Sequence, residues 1–178
     1  MVRSGYKDGP VATALLNYPQ GAAVDRQGDF YFSDNNAVRK VSLKDGTVTT
    51  VAGGQKRYFR APSIFPSDSD LKKMFAGGSS RDGQGIDAHF AGPGALSIDP
   101  TGRIWVAQRT LPAIRRITPD GTVTTVLGPD NSLCGLADFK DARPVVKAIA
   151  LLDDGRLAFA AGDYVFVQKE GSSLDQRR

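Results

Sequence analysis

Asp45-Gly46-Thr47-Val48-Thr49-Thr50-Val51-Ala52-Gly53 is answered further along the chain by Asp120-Gly121-Thr122-Val123-Thr124-Thr125-Val126-Leu127-Gly128. A passage stated twice points to a repeat architecture, whose units cannot bury their own apolar faces and must stack on neighbours. The likeness extends upstream. Gly5-Tyr6-Lys7-Asp8-Gly9 is matched by Arg81-Asp82-Gly83, Ala14-Leu15-Leu16 by Ala88-His89-Phe90, and Gly21-Ala22-Ala23-Val24-Asp25 by Ala95-Leu96-Ser97-Ile98-Asp99. Gly28-Asp29-Phe30-Tyr31-Phe32 is matched by Gly102-Arg103-Ile104-Trp105-Val106, and Val38-Arg39-Lys40-Val41 by Ile114-Arg115-Arg116-Ile117. Order and spacing agree to within a residue.

Each copy reads as four short strands, near 21–25, 29–33, 37–42 and 47–52, then near 95–99, 103–107, 113–117 and 122–127. Apolar runs of this length bounded by Asp, Gly, Asn and Pro carry the strand signature. Asp25 to Gly28 and Asp99 to Gly102 form tight turns, because Asp bonds its own backbone and Gly accepts positive φ. Asp45-Gly46 and Asp120-Gly121 are hairpin turns by the same logic. Four antiparallel strands per unit make the blade of a β-propeller, so the expected fold is all-β. The expected organisation is a single partial propeller over residues 1–178, with blade 1 near 18–53, an insert at 55–80 and blade 2 near 88–128. An incomplete blade 3 falls near 145–170, with strands at Val146–Leu152, Arg156–Ala160 and Tyr164–Val167 and no fourth strand in view.

The 178 residues are 40% hydrophobic, enough for one domain with a core, and 20 glycines with 10 prolines suit a turn-rich β chain. The formal charge of +4 is a modest basic excess. Cys134 is the sole cysteine, which excludes an intrachain disulfide and a thiolate zinc cluster. His89 is the sole histidine and falls within a repeated structural run, so imidazole-based acid–base chemistry is not expected. No apolar run approaches the ~20 residues that span a bilayer, and Met1 to Pro10 lacks the apolar core of a secretory signal. A soluble chain is expected, with its compartment left open.

The ordered motifs Asp-Gly, Ala-x-Phe, Pro-x-Gly, Gly-x-(Ile/Phe)-(Tyr/Trp)-(Val/Phe), Ile-Arg-(Lys/Arg)-Ile and Gly-x-Val-x-Thr-x-x-Gly resemble the NHL repeat, over about 5–53 and 80–128 and more faintly over 145–168. The resemblance implies blades of a propeller that usually closes with about six, at ~40 to 50 residues each. Three blades would leave apolar faces open at both ends, more than a soluble monomer tolerates. It therefore implies completion by a protein partner or a homodimer. It also implies alternatives that related propellers host: a metal-dependent lyase or lactonase, and an RNA-binding surface.

Among candidate sites, Asp34, Asn35 and Asn36 form a compact polar cluster whose hard oxygens would suit calcium or magnesium. Asp25 and Asp99, with Arg39 and Arg115, recur at matching positions and read as internal ion pairs or turn bonds. Gly53-Gly54 read as linker glycines. On the insert, Lys56, Arg57, Tyr58, Phe59 and Arg60 set cations beside aromatics, a composition that suits a partner interface or stacked bases. No cofactor is expected, and a non-catalytic role in binding or assembly is the expectation overall.

Overall fold

The computed structural model describes residues 4–54, 80–128 and 145–168. Blade 1 is built from β2 (Pro19–Val24), β3 (Phe30–Asp34), β4 (Ala37–Ser42) and β5 (Thr47–Gly53), and β1 (Gly9–Pro10) pairs along the outer edge of β5. Blade 2 repeats the plan with β7 (Pro93–Ile98), β8 (Ile104–Gln108), β9 (Ala113–Ile117) and β10 (Thr122–Leu127), edged by β6 (Gly83–Gln84). Blade 3 has β11 (Val146–Leu151), β12 (Leu157–Ala161) and β13 (Tyr164–Val167), three strands among the described residues. All pairings are antiparallel.

The fifth strand on each of the first two sheets departs from the four-strand expectation. At two residues, β1 and β6 carry no periodic pattern to read, and they are held by side chains instead. Arg39, fully buried, donates from Nη1 to the Leu15 carbonyl at 2.8 Å and to Asp34 Oδ2 at 2.7 Å. Its Nη2 donates to the Lys7 carbonyl and to Asp8 Oδ1, both at 2.8 Å. Asp8 in turn accepts from the Thr50 N–H at 2.8 Å, which clamps the leading segment onto β5. Arg115 does the same in blade 2, reaching Asp82 Oδ1 at 2.9 Å, the His89 carbonyl at 3.0 Å and Gln108 Oε1 at 3.1 Å. The Lys7–Leu15 and Arg81–His89 bridges close both leading segments into matching loops. Each arginine is thus the node that turns four strands into five.

Asp25 and Asp99 do not pair with these arginines. Asp25 Oδ1 accepts from the N–H groups of Gln27 and Asp29, and Asp99 Oδ1 from those of Thr101 and Arg103. Gly28 (φ 86°) and Gly102 (φ 83°) complete these turns in the left-handed region that favours glycine. Burial pushes the Asp99 carboxyl up, but the Thr101 hydroxyl, the Arg103 guanidinium and the two backbone N–H groups outweigh it and hold it at about 2. A depressed carboxyl stabilises the fold above its unfolded value of 3.8 and loses that contribution as pH falls towards 2. The shift is worth roughly 2 kcal/mol. Urea unfolding at pH 6 and pH 2 should therefore show wild type well above Asp99→Asn at the higher pH and close to it at the lower. A gap that does not narrow would contradict this account.

The blades stack in chain order through two cores. One joins Val38 and Ala52 on the rear of blade 1 to Phe90, Leu96, Ile104, Val106, Ile117 and Val123 on the front of blade 2. The other joins Trp105, Ala107 and Ile114 on the rear of blade 2 to Val146, Ile149, Leu157 and Phe159 on the front of blade 3. Period-2 alternation supplies both faces of blade 2, since successive strand side chains point to opposite sides. Gly53 is no linker. It ends β5 at φ 76°, where a Cβ would stand 2.4 Å from the Asn36 carbonyl and 2.7 Å from the Phe90 ring.

Candidate functional site

Blade 1 has its rear packed on blade 2, while its front carries an apolar groove lined by Leu16, Ala22, Phe30, Phe32, Val41 and Val48, among others. The strand registers put these side chains on one face: Ala22 lies opposite Phe32, Phe30 opposite Val41, and Val41 opposite Val48. The groove encloses about 360 Å³. In the repeat, Leu16 corresponds to Phe90, Ala22 to Leu96, Phe30 to Ile104, Phe32 to Val106, Val41 to Ile117 and Val48 to Val123. Those six counterparts are the front of blade 2, which blade 1 covers. Exposure records the difference: Leu16 is 37% and Phe30 38% exposed, whereas Phe90 is 2% and Ile104 3% exposed.

The other end of the stack is open as well. Register sets Ala148 against Ala160, Ala150 against Ala158, Ala158 against Val167 and Ala160 against Val165, so all six side chains share the rear of blade 3. Val165 is 74% and Val167 48% exposed. This rear face is small and β-branched, while the front of blade 1 carries Phe30, Phe32 and Leu16. Flat and deeper apolar surfaces therefore stand at opposite ends of the same chain. Sequence reading anticipated open ends but did not name these residues, although the repeat alignment with its buried second copy would have pointed to them.

Asp34 is turned inward. Its Oδ1 accepts from the Asn17 N–H at 2.7 Å and its Oδ2 from Arg39 at 2.7 Å, with the side chain fully buried. Asn35 and Asn36 face away from it, lining a polar cavity between blades 1 and 2. Among the described residues no group of three or more His, Cys, Asp or Glu side chains could hold a metal ion. Gly46 (φ 61°) and Gly121 (φ 87°) occupy the left-handed region beside Asp45 and Asp120, and hydrogen bonds from Thr118 and Thr122 hold the exposed Asp120 carboxyl below the usual range. His89 contributes its backbone, with its N–H donating to the Arg81 carbonyl at 2.9 Å and its carbonyl accepting from Arg115. Lys56, Arg57, Tyr58, Phe59, Arg60 and Cys134 lie outside the described residues. No described helix is long and apolar enough to cross a membrane.

A family model for the teneurin NHL domain matches residues 4–77. No curated protein matches the chain. Among solved structures, an auxiliary nutrient-binding protein from Bacteroides thetaiotaomicron is 16% identical with a TM-score of 0.52, over 78% of this chain and 33% of that one. A second auxiliary nutrient-binding protein, from Bacteroides ovatus, is 14% identical with a TM-score of 0.50, over 83% of this chain and 37% of that one. Virginiamycin B lyase from Staphylococcus aureus is 16% identical with a TM-score of 0.47, over 94% of this chain and 46% of that one. The chain spans under half the length of each of these three. At such identities the likeness to the two nutrient-binding proteins speaks to fold alone, and it agrees with the blade-by-blade geometry. Residues 4–77 are similar to the teneurin NHL domain, and the described sheets are the antiparallel blades of a partial β-propeller.

Proposed function

We propose that this protein is a non-catalytic binding and assembly module that works by blade-on-blade packing at its open ends. One observation carries the reading: the front of blade 1, where Leu16 and Phe30 are exposed while Phe32 and Val48 are buried, matches residue for residue the front of blade 2 that blade 1 itself buries. A face built to be covered in one copy is built to be covered in the other. The occupant is the rear of blade 3 in a second copy, whose Ala148, Ala150, Ala158, Ala160, Val165 and Val167 take the place of a preceding blade. Two such contacts related by a twofold axis join three blades to three, and closure leaves neither end exposed. The segment that carries Lys56, Arg57, Tyr58, Phe59 and Arg60 supplies partner specificity, since aromatics and arginine dominate recognition.

Light scattering behind a sizing column tests this over a concentration series. The expected species has twice the 19.0 kDa chain mass, and Phe30→Asp or Val165→Asp converts it to monomer by placing a charge in the contact. Trp105, buried between blades 2 and 3, should keep its fluorescence in Phe30→Asp, which separates loss of assembly from loss of fold. A monodisperse monomer at every concentration would overturn the proposal.

A further inference from the structure

Between blades 1 and 2 lies a polar cavity of about 160 Å³ whose walls include Tyr18, Gln20, Asn35, Asn36, Arg109 and Thr110. That is well above what one water requires. Its chemistry is one-sided: amides, a hydroxyl, a phenol and a guanidinium, with no carboxylate in the lining. Like Arg26, and unlike the arginines of the ion pairs, the arginine of this cavity is unpaired among the described residues. Arg39 and Arg115 are buried with both terminal nitrogens hydrogen-bonded, and Arg103 and Arg156 pair with Asp99 and Asp154. The Arg109 side chain is exposed and has no hydrogen bond or ion pair among the described residues. Its stem lies over Gly94, where a Cβ would meet Arg109 Cγ and Cδ at 3.0 Å.

The backbone is a second, independent sign. Tyr18 sits at φ 68° and Asn35 at φ 54°, the two non-glycine residues in the left-handed region among the described residues. Blade 2 uses Gly92, at φ 64°, where blade 1 has Tyr18. A tyrosine there is disfavoured by contact between its Cβ and the backbone, and at 72% exposure it buries little in return. Strain kept without packing benefit is characteristic of sites that hold a ligand. None of the wall groups repeats between blades either: Gln20 matches Gly94, and Asn35 matches Arg109. Scaffold residues recur with the repeat, whereas a binding group is needed once.

We propose that this cavity binds a small planar acid, with its carboxylate or phosphate on Arg109 and the donors of Asn35 and Thr110, and its ring against Tyr18. A planar guanidinium suits either oxyanion through paired N–H donors. Ligand-observed NMR on the full chain tests this with benzoate, phenyl phosphate, inorganic phosphate and the cation benzylamine as probes. Benzoate or phenyl phosphate should bind while benzylamine does not, and the stronger of the two anions identifies the headgroup. Arg109→Ala should weaken that anion about tenfold or more, the ordinary loss for a charge-assisted bond. Tyr18→Gly should raise the melting temperature by relieving the backbone yet weaken the ring-bearing probes, leaving inorganic phosphate unchanged. No saturation transfer to either ring-bearing anion, equal binding of benzylamine, or undiminished binding by a folded Arg109→Ala would overturn the assignment.

Discussion

Arg39→Met should lower stability by about 3 to 5 kcal/mol, the cost of breaking a buried ion pair by deleting one partner. The buried Asp34 carboxylate would keep the Asn17 N–H and lose its cation. The carbonyls of Lys7 and Leu15 would each lose one of two donors and keep the backbone N–H of the other, and the clamp on β1 would open. Against a total of ~5 to 15 kcal/mol for a domain, this is a large fraction. Denaturant unfolding should show the midpoint falling steeply, and hydrogen exchange should show the segment from Lys7 to Leu15 released first. Arg115→Met should cost less, because the group left facing the gap at the matching position is Gln108, a neutral amide. A double variant, Arg39→Met with Asp34→Leu, should recover part of the loss, since two apolar groups leave no uncompensated charge. If Arg39→Met costs less than about 1 kcal/mol, the node is not what holds β1 in place.

Gly21→Val is expected to be almost as damaging, for a steric reason. A Cβ at Gly21 would lie 2.1 Å from the Gly94 carbonyl oxygen and 2.7 Å from its carbon, both backbone atoms that cannot swing aside. The inner strands β2 and β7 would have to separate, which opens the apolar contact of Val38 and Ala52 with blade 2. Overpacking of this kind costs typically ~1 to 3 kcal/mol, and the rigid neighbours place it at the upper end. In a stacked repeat the loss stays near its interface, because each blade contacts only its neighbours. The fluorescence of Trp105, at the second interface, should therefore report a later transition than far-UV circular dichroism does. Coincident transitions that are shifted by the same amount would mean that the two interfaces melt as one.

These two residues also mark where sequence reading stopped. Arg39 and Arg115 were visible as recurring cations, and the recurrence pointed to an internal role. Their partners were not visible: Asp8 and Leu15 are far from Arg39 in sequence, and only the folded loop brings them to its guanidinium. Asp25 and Asp99, equally recurrent, were grouped with the arginines and turned out to bond their own turns, a local geometry that spacing alone does not separate from an ion pair. Gly53 read as a linker because Gly-Gly is a breaker signal, yet its cause is the Phe90 ring of the next blade. The cluster at Asp34 to Asn36 divides into a buried acid bound to Arg39 and two amides at a cavity wall, since neighbours in sequence near a strand end face different ways.

By itself the sequence determined the all-β class, the blade repeat, the strand order and the Asp-Gly turns, because these rest on period-2 alternation and on the left-handed freedom of glycine, both local. Tertiary structure alone decided which apolar face of each blade is covered, how the two-residue strands are clamped, and that Tyr18, Asn35 and Arg109 meet across two blades. Those outcomes depend on contacts between residues far apart in the chain, made by stacking one repeat on the next, and no short-range pattern encodes them.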